Sequence, residues 1–212
     1  MFQRKMLLVL MAVVLMWASE AHATAILTIG NDPQLGDENV LLNTGLMGNP
    51  IFGTTNQTGL NVRFTGSEDL VAPANGQARI DAVDDFFTSL MIEVPSGSFT
   101  SLILNPDATI DGTVDFTATT NTGIQVFNDI AVSGSGQNFF TFTTMDGQRL
   151  LSIAVDADGA LTFADAAQFR IGGAQLGVVV DPRGVPDAAS TLSLLGLGVA
   201  GIAVARRRLA RS

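Results

Sequence analysis

The chain has 212 residues, 20 acidic against 11 basic, a formal charge of −9, and neither cysteine nor tyrosine. Disulfides and thiolate metal sites are thereby excluded, so an exported form would depend on its hydrophobic core alone. Its single histidine, tryptophan and lysine (His22, Trp17 and Lys5) all lie near the N-terminus.

The first element has the layout of a secretory signal peptide. Arg4 and Lys5 supply positive charge, Met6 to Ala18 form an apolar core, and Ala21-His22-Ala23 places small residues at the −3 and −1 positions of a cleavage site. Signal peptidase is the expected partner, with residues 1–23 removed and Thr24 as the new N-terminus. An uncleaved N-terminal helix is the plainer alternative, but the apolar core is short for a span. Cleavage removes the imidazole and the amine. A Ser/His/Asp triad, a Cys/His pair and a histidine zinc site are then excluded by composition, leaving carboxylates, arginines, hydroxyls and amides.

From Thr24 to Val185 there are 18 acidic residues against five arginines, a formal charge of −13. Such a domain repels phosphate backbones and anionic head groups, so no nucleic-acid partner is expected. Neutral polysaccharide, divalent cations or plain solubility all agree with this charge.

Residues 24–180 read as β throughout. Expected strands are 25–29, 39–43, 60–65, 78–83, 87–94, 99–104, 109–117, 123–132, 137–144, 149–155, 160–163 and 168–171. In Leu60-Asn61-Val62-Arg63-Phe64-Thr65 every second residue is apolar, and Val114, Phe116 and Ala118 alternate with Asp115, Thr117 and Thr119. Period two with Thr, Val, Ile and Phe enrichment marks strands buried on one face. Asn49-Pro50, Asn105-Pro106, Asp111-Gly112, Gly134-Ser135-Gly136, Asp146-Gly147 and Asp158-Gly159 supply turn chemistry between them. The expected fold is all-β, an antiparallel jelly-roll-like β-sandwich of roughly eight to twelve strands.

Three constellations within it carry candidate chemistry. Asp156 and Asp158 before Gly159, with Asp165 further on, can present oxygens to Ca²⁺, although the spacing lacks the distal Glu of an EF-hand and also suits an ordinary hairpin turn. Asp81, Asp84 and Asp85, with Glu68-Asp69 upstream, contain carboxylate pairs of the kind glycosidases use, or are solvated loop acids. Thr117, Thr119, Thr120 and Thr122, with Thr141, Thr143 and Thr144, would form a hydroxyl and methyl surface for sugars or ice if they shared one face; Thr is also simply a good exposed strand former.

After a short linker, 181–184, the last 28 residues (185–212) change character. Val185-Pro186-Asp187-Ala188-Ala189-Ser190-Thr191 precedes an uncharged stretch, 188–205, and then Arg206-Arg207-Arg208. An apolar run of this length satisfies its backbone in lipid only as a helix, and adjacent guanidinium groups resist translocation. The expected arrangement is one C-terminal transmembrane helix with its arginines in the cytoplasm.

In these residues the tail resembles the C-terminal sorting signal of the PEP-CTERM family, in the variant where Val-Pro-Asp and small residues replace Val-Pro-Glu-Pro. Val185, Pro186, Asp187, Ser190, Thr191 and Arg206 to Arg208 carry the match, while Ala188-Ala189 stands where Ser-Gly or Gly-Gly is more usual. The resemblance implies an exosortase-like membrane protease as partner, transient inner-membrane anchoring, and delivery to the cell surface or beyond. An ordinary, unprocessed anchor is the alternative. Asn43-Thr44-Gly45, residues 49–56, residues 72–80, Gly136-Gln137-Asn138-Phe139-Phe140 and residues 168–173 also resemble a recurrent ectodomain found before such tails. That likeness implies a sandwich and no activity.

The combined reading is an exported, non-enzymatic surface or matrix protein, structural or adhesive in extracellular polysaccharide. The alternative is a carbohydrate- or calcium-binding module, with ice binding and a carboxylate glycosidase behind it.

Overall fold

The computed structural model describes residues 25–145 and 147–177. The expected signal peptide with Ala21 and Ala23, Asp146, the linker, and the whole tail including Val185, Pro186, Asp187, Ser190, Thr191 and Arg206 to Arg208 lie outside the described residues. Among the described residues no helix is long and apolar enough to cross a membrane.

The described chain is antiparallel β from end to end. In chain order the strands are β1 (Ala25–Ile29), β2 (Asp37–Leu42), β3 (Met47–Gly48), β4 (Ile51–Thr55), β5 (Asn61–Gly66), β6 (Leu70–Val71), β7 (Gly76–Gln77), β8 (Arg79–Ala82) and β9 (Ser89–Glu93). There follow β10 (Gly97–Ser98), β11 (Ser101–Ala108), β12 (Gly112–Thr120), β13 (Gly123–Val132), β14 (Phe140–Thr144), β15 (Leu150–Ala157), β16 (Phe163–Gly172) and β17 (Gln175–Leu176). One path of hydrogen-bonded neighbours runs β1-β14-β11-β16-β2-β4-β5-β9-β15-β12-β13, and β10 pairs separately with β17.

This ribbon is folded into two layers around one core. Phe116 of β12 meets Phe140 and Phe142 of β14 edge-on at 4.8 and 5.1 Å, although β12 and β14 are not neighbours in the path. Phe64 of β5 meets Phe169 of β16 at 4.9 Å in the same way. These rings are fully buried, as the alternation predicts: Val114, Phe116 and Ala118 point in while Thr113, Asp115, Thr117 and Thr119 point out. The two ends of the path also approach each other, since the Ala25 amide donates to Gln125 Oε1 at 2.9 Å. The architecture is therefore sandwich-like with a barrel-like closure.

Several strand boundaries differ from expectation. β4 is not among the expected strands; it follows directly on Asn49-Pro50, where turn chemistry is expected. Gly53 is in fact required within the strand, because a Cβ there would stand 2.6 Å from Val40 Cγ1. Asn105-Pro106 is not a break; β11 runs through it with a register shift between Ile103 and Asn105, the kind of irregularity that accommodates a strand proline. Of the expected strand 160–163 only Phe163 is in a strand; β16 begins there and contains the expected strand 168–171, with Gln168 at φ 59°.

Candidate functional site

The two outer faces of the sandwich differ. On the β1-β14-β11-β16 side, the segment 30–36 crosses the sheet: the Thr141 hydroxyl donates to Gly30 O at 2.7 Å, and the Asp32 amide donates back to Thr141 Oγ1 at 3.1 Å. Thr141 and its register partner Ile103 are consequently 0% exposed although they point away from the main core. Across β5-β9-β15-β12-β13 the outward positions remain open to solvent to varying degrees.

Register aligns these positions in rows. One row is Arg63, Glu93, Ser152, Thr119 and Ile124; the next is Thr65, Met91, Ala154, Thr117 and Val126. Arg63 and Glu93 form an ion pair at one border. The centre therefore presents methyl, thioether and hydroxyl groups without net charge.

A third row, Ser89, Asp156 and Asp115, leads into an acidic corner. A register shift between Val114 and Phe116 breaks the β12-β13 ladder, and Asp129 adopts φ 56° there. The shift turns Asp129 toward Asp115: its amide donates to Asp115 Oδ1 at 2.9 Å. Thr113 Oγ1 orients Asp158 from the other side at 2.8 Å. Carboxylate oxygens of Asp115, Asp129 and Asp158 lie within 4.8 Å of one another. Burial, followed by the charges of Asp115 and Asp158, raises the Asp156 carboxyl above its ordinary value. Convergent hard oxygens of this kind suit Ca²⁺ better than a soft metal.

The expected trio Asp156, Asp158 and Asp165 is not assembled. Asp165 lies on β16 opposite Asp81 and Asp107, and its carboxylate pairs with Arg79 at 3.0 Å. Burial raises its pKa, Arg79 lowers it, and Asp81 and Asp107 raise it, with a net upward shift. Asp115 and Asp129 take its place beside Asp158. No sequence spacing announces Asp129, because a ladder irregularity brings it there.

The threonine surface is also divided. Thr117 and Thr119 are on the open face, whereas Thr120 is buried and bonds Gly123 O at 2.9 Å, and Thr122 bonds Thr120 and Gln148. Thr141, Thr143 and Thr144 sit in the other layer because β14 pairs with β1 and β11. In the remaining acidic group, Asp81 pairs with Arg79 at 3.2 Å. Glu68 is raised by a hydrogen bond with Asp84, then by burial and by the Asp84 charge. Carboxyls in hydrogen-bond contact are nearer than the roughly 5 Å that separates a retaining glycosidase pair.

Glu38, not singled out by its sequence context, is a structural carboxylate that is only 4% exposed. It accepts from the Gln57 and Thr58 amides, both at 2.8 Å, and from the Thr58 hydroxyl at 2.7 Å. Burial alone would raise its pKa; the bonds from Thr58, Gln57 and Thr55 outweigh burial and lower it. A depressed acid contributes stability above its unfolded value, and that stability is lost as pH falls through the folded value. Glu38→Gln is therefore expected to cost about 2 kcal/mol at neutral pH through weakened charge-assisted bonds. In urea titrations that difference should shrink towards zero in acid; a pH-independent difference would assign the loss to packing.

Residues 184–209 match the VPDSG-CTERM motif. The tail is a PEP-CTERM-like exosortase-sorting signal. Comparison with curated proteins gives no match. Among solved structures, the described fold is similar to the family 29 carbohydrate-binding module CBM29_1 from Piromyces equi, at 12% identity and TM-score 0.29, covering 73% of this chain and 93% of that one. A point variant of the module CBM29-2 is similar at 15% identity and TM-score 0.26, covering 76% and 97%. At these scores no ligand or residue role is transferred. The VPDSG-CTERM match, by contrast, lies on the residues that form the motif.

Proposed function

We propose that residues 24–180 form an exported, non-enzymatic domain which the VPDSG-CTERM tail delivers to the cell envelope or the extracellular polysaccharide matrix, where its role is structural or adhesive. The observation that carries this reading is the match at 184–209. Composition agrees with it, since a domain without His, Cys, Lys, Tyr or Trp has a narrow choice of catalytic groups. The wound two-layer sheet is read as jelly-roll-like. Intact-mass measurement of the protein from its native host tests the route at both ends. The expected product begins at Thr24 and has lost residues beyond the sorting motif; a mature protein that retains Met1 and Ser212 overturns it.

A second reading, contact with a neutral polysaccharide, is favoured by the open face of β5-β9-β15-β12-β13. Thr65, Met91, Ala154, Thr117 and Val126 give a row without charge on an otherwise acidic domain. Ca²⁺ at Asp115, Asp129 and Asp158 belongs to the same reading as a neighbouring cofactor. Retention on insoluble neutral polysaccharides is expected to fall severalfold in Val126→Asp. Retention that is unchanged by Val126→Asp removes this face from consideration.

A further inference from the structure

The open face carries a polar pair that the fold leaves unsaturated. Arg149 donates to Ser98 Oγ, Ser98 O and Gly173 O, and Arg79 donates to the carboxylates of Asp81 and Asp165, so each of these guanidinium groups is occupied within the domain. Among the described residues the Arg63 side chain holds only Glu93. Its Nε has no partner, and Glu93 Oε1 has none beyond the terminal Arg63 nitrogen. A guanidinium offers five N–H donors and a carboxylate about four acceptor sites, so most of the capacity of both groups is unused. Shielded polar atoms without partners are costly, and native folds keep few of them. The two side chains are 39% and 19% exposed, which leaves the pair open to a ligand arriving from solvent.

Register sets an aromatic ring beside this pair. Phe52 on β4 is the partner of Arg63 on β5, and alternation turns it outward because Ile51 and Gly53 on either side of it are buried. It is 46% exposed. The row it begins crosses six strands: Phe52, Arg63, Glu93, Ser152, Thr119 and Ile124. Neighbouring strands lie about 4.8 Å apart, so Phe52 stands one such step from Arg63 and the whole row is about 24 Å long. An exposed ring, a fixed ion pair, two hydroxyls and an aliphatic side chain follow one another in a line across the sheet.

We infer that Phe52 and the Arg63–Glu93 pair form the seat for one sugar ring of a neutral polysaccharide whose chain lies across the strands, an inference that rests on the polysaccharide contact proposed above. A phenyl ring has an apolar π-face and no hydrogen-bonding atom, so it favours a sugar that presents axial C–H groups on one face, as an equatorially substituted hexopyranose does. Hydroxyls at the edge of a ring stacked there reach the pair, with Arg63 donating and Glu93 accepting. Hydrogen bonds to ionised groups are stronger than those between neutral ones. Because the two side chains already hold each other, less conformational freedom is lost when a ligand binds. The pair has no net charge, and a domain of formal charge −13 between Thr24 and Val185 opposes an anionic ligand. Ser152, Thr119 and Ile124 continue the contact toward β13.

The test is retention of the full-length protein, in a detergent without a sugar head group, on insoluble neutral polysaccharides that include cellulose, a chain of equatorially substituted hexopyranoses. Wild type is expected to be retained on cellulose at both low and high salt, because the ligand is uncharged. Phe52→Ala should lower retention severalfold. Phe52→Leu, which keeps apolar bulk but has no π-face, should lower it nearly as much, whereas Phe52→Trp should equal or exceed wild type. Arg63→Gln combined with Glu93→Gln removes both charges together and should also cost severalfold. Urea midpoints close to wild type show that these variants remain folded. Full retention of Phe52→Leu, or of the double glutamine variant, overturns the seat, as does retention that high salt abolishes. Undiminished retention of Phe52→Ala, with loss in Val126→Asp, overturns the seat and leaves the wider face in place. Wild type that is retained on none of the polysaccharides overturns the polysaccharide reading and the seat with it.

Discussion

Phe116→Ala is expected to lower the unfolding free energy by about 3–5 kcal/mol, the range for removing a buried aromatic ring. Phe116 is 0% exposed and stands where the two layers meet, edge-on to both Phe140 and Phe142. Truncation removes its own burial, leaves a cavity between layers that are each held by strand hydrogen bonds, and separates two aromatic pairs at once. The backbone of β12 cannot collapse into the gap without disturbing its ladders to β13 and β15. Domains are commonly stable by only about 5–15 kcal/mol, so this single change would shift the chemical-denaturation midpoint strongly. Phe52 is the internal control: it points outward from β4 and is 46% exposed. Phe52→Ala is expected to change stability by no more than about 0.5 kcal/mol. Comparable losses at both positions would contradict the assignment of the inter-layer core.

Much of this core is legible in the sequence because alternation maps directly onto burial. β13 has the expected bounds 123–132, and the inward residues of β12 and β5 are those that period two selects. Where structure and expectation differ, tertiary context overrides a local signal. Pro106 and Gly53 are turn formers by propensity, yet each lies in a strand: Pro106 is accommodated near a register shift, and Gly53 is needed where Val40 approaches. The acidic corner illustrates a different limit. Asp115 and Asp156 face each other through simple antiparallel register, but Asp129 joins Asp158 only because β13 slips against β12 and takes a positive φ. Period-two reasoning has no term for a slip. Asp165 is grouped with Asp156 and Asp158 by nearness in sequence to the Gly159 turn, while the fold places it opposite Asp81 and Asp107 on another sheet region. The threonines were divided for a comparable reason, since alternation says which residues share a face of one strand but not which strands become neighbours.

The largest functional effect is expected in the tail. Fused to an exported reporter in a host with the cognate exosortase, residues 185–212 should yield a processed product, while Pro186→Ala or removal of Arg206 to Arg208 should leave most of the reporter as precursor. Pro186 lacks an amide donor, and its ring biases Val185 toward an extended conformation. That bias favours presentation of Val-Pro-Asp as an open strand to a membrane protease instead of continuation of a helix into the motif. In the proposed transmembrane arrangement the arginines would act at the other end, because three guanidinium groups strongly oppose passage through the bilayer and would thereby hold the motif at the outer surface. The two variants fail by different physical routes and can be told apart. Loss of the arginines should allow the tail to pass through, giving precursor that no longer sediments with membranes, whereas Pro186→Ala should give precursor that stays membrane-bound. Gly196, Ala200, Gly201 and Ala205 supply small residues at four-residue spacings, which permits close helix contact if this stretch packs against the enzyme. Replacing Gly196 and Ala200 with leucine should then slow processing without releasing the precursor from the membrane. Equal processing with and without the exosortase would remove the enzyme from the pathway and leave the tail as an ordinary anchor exposed to general proteolysis.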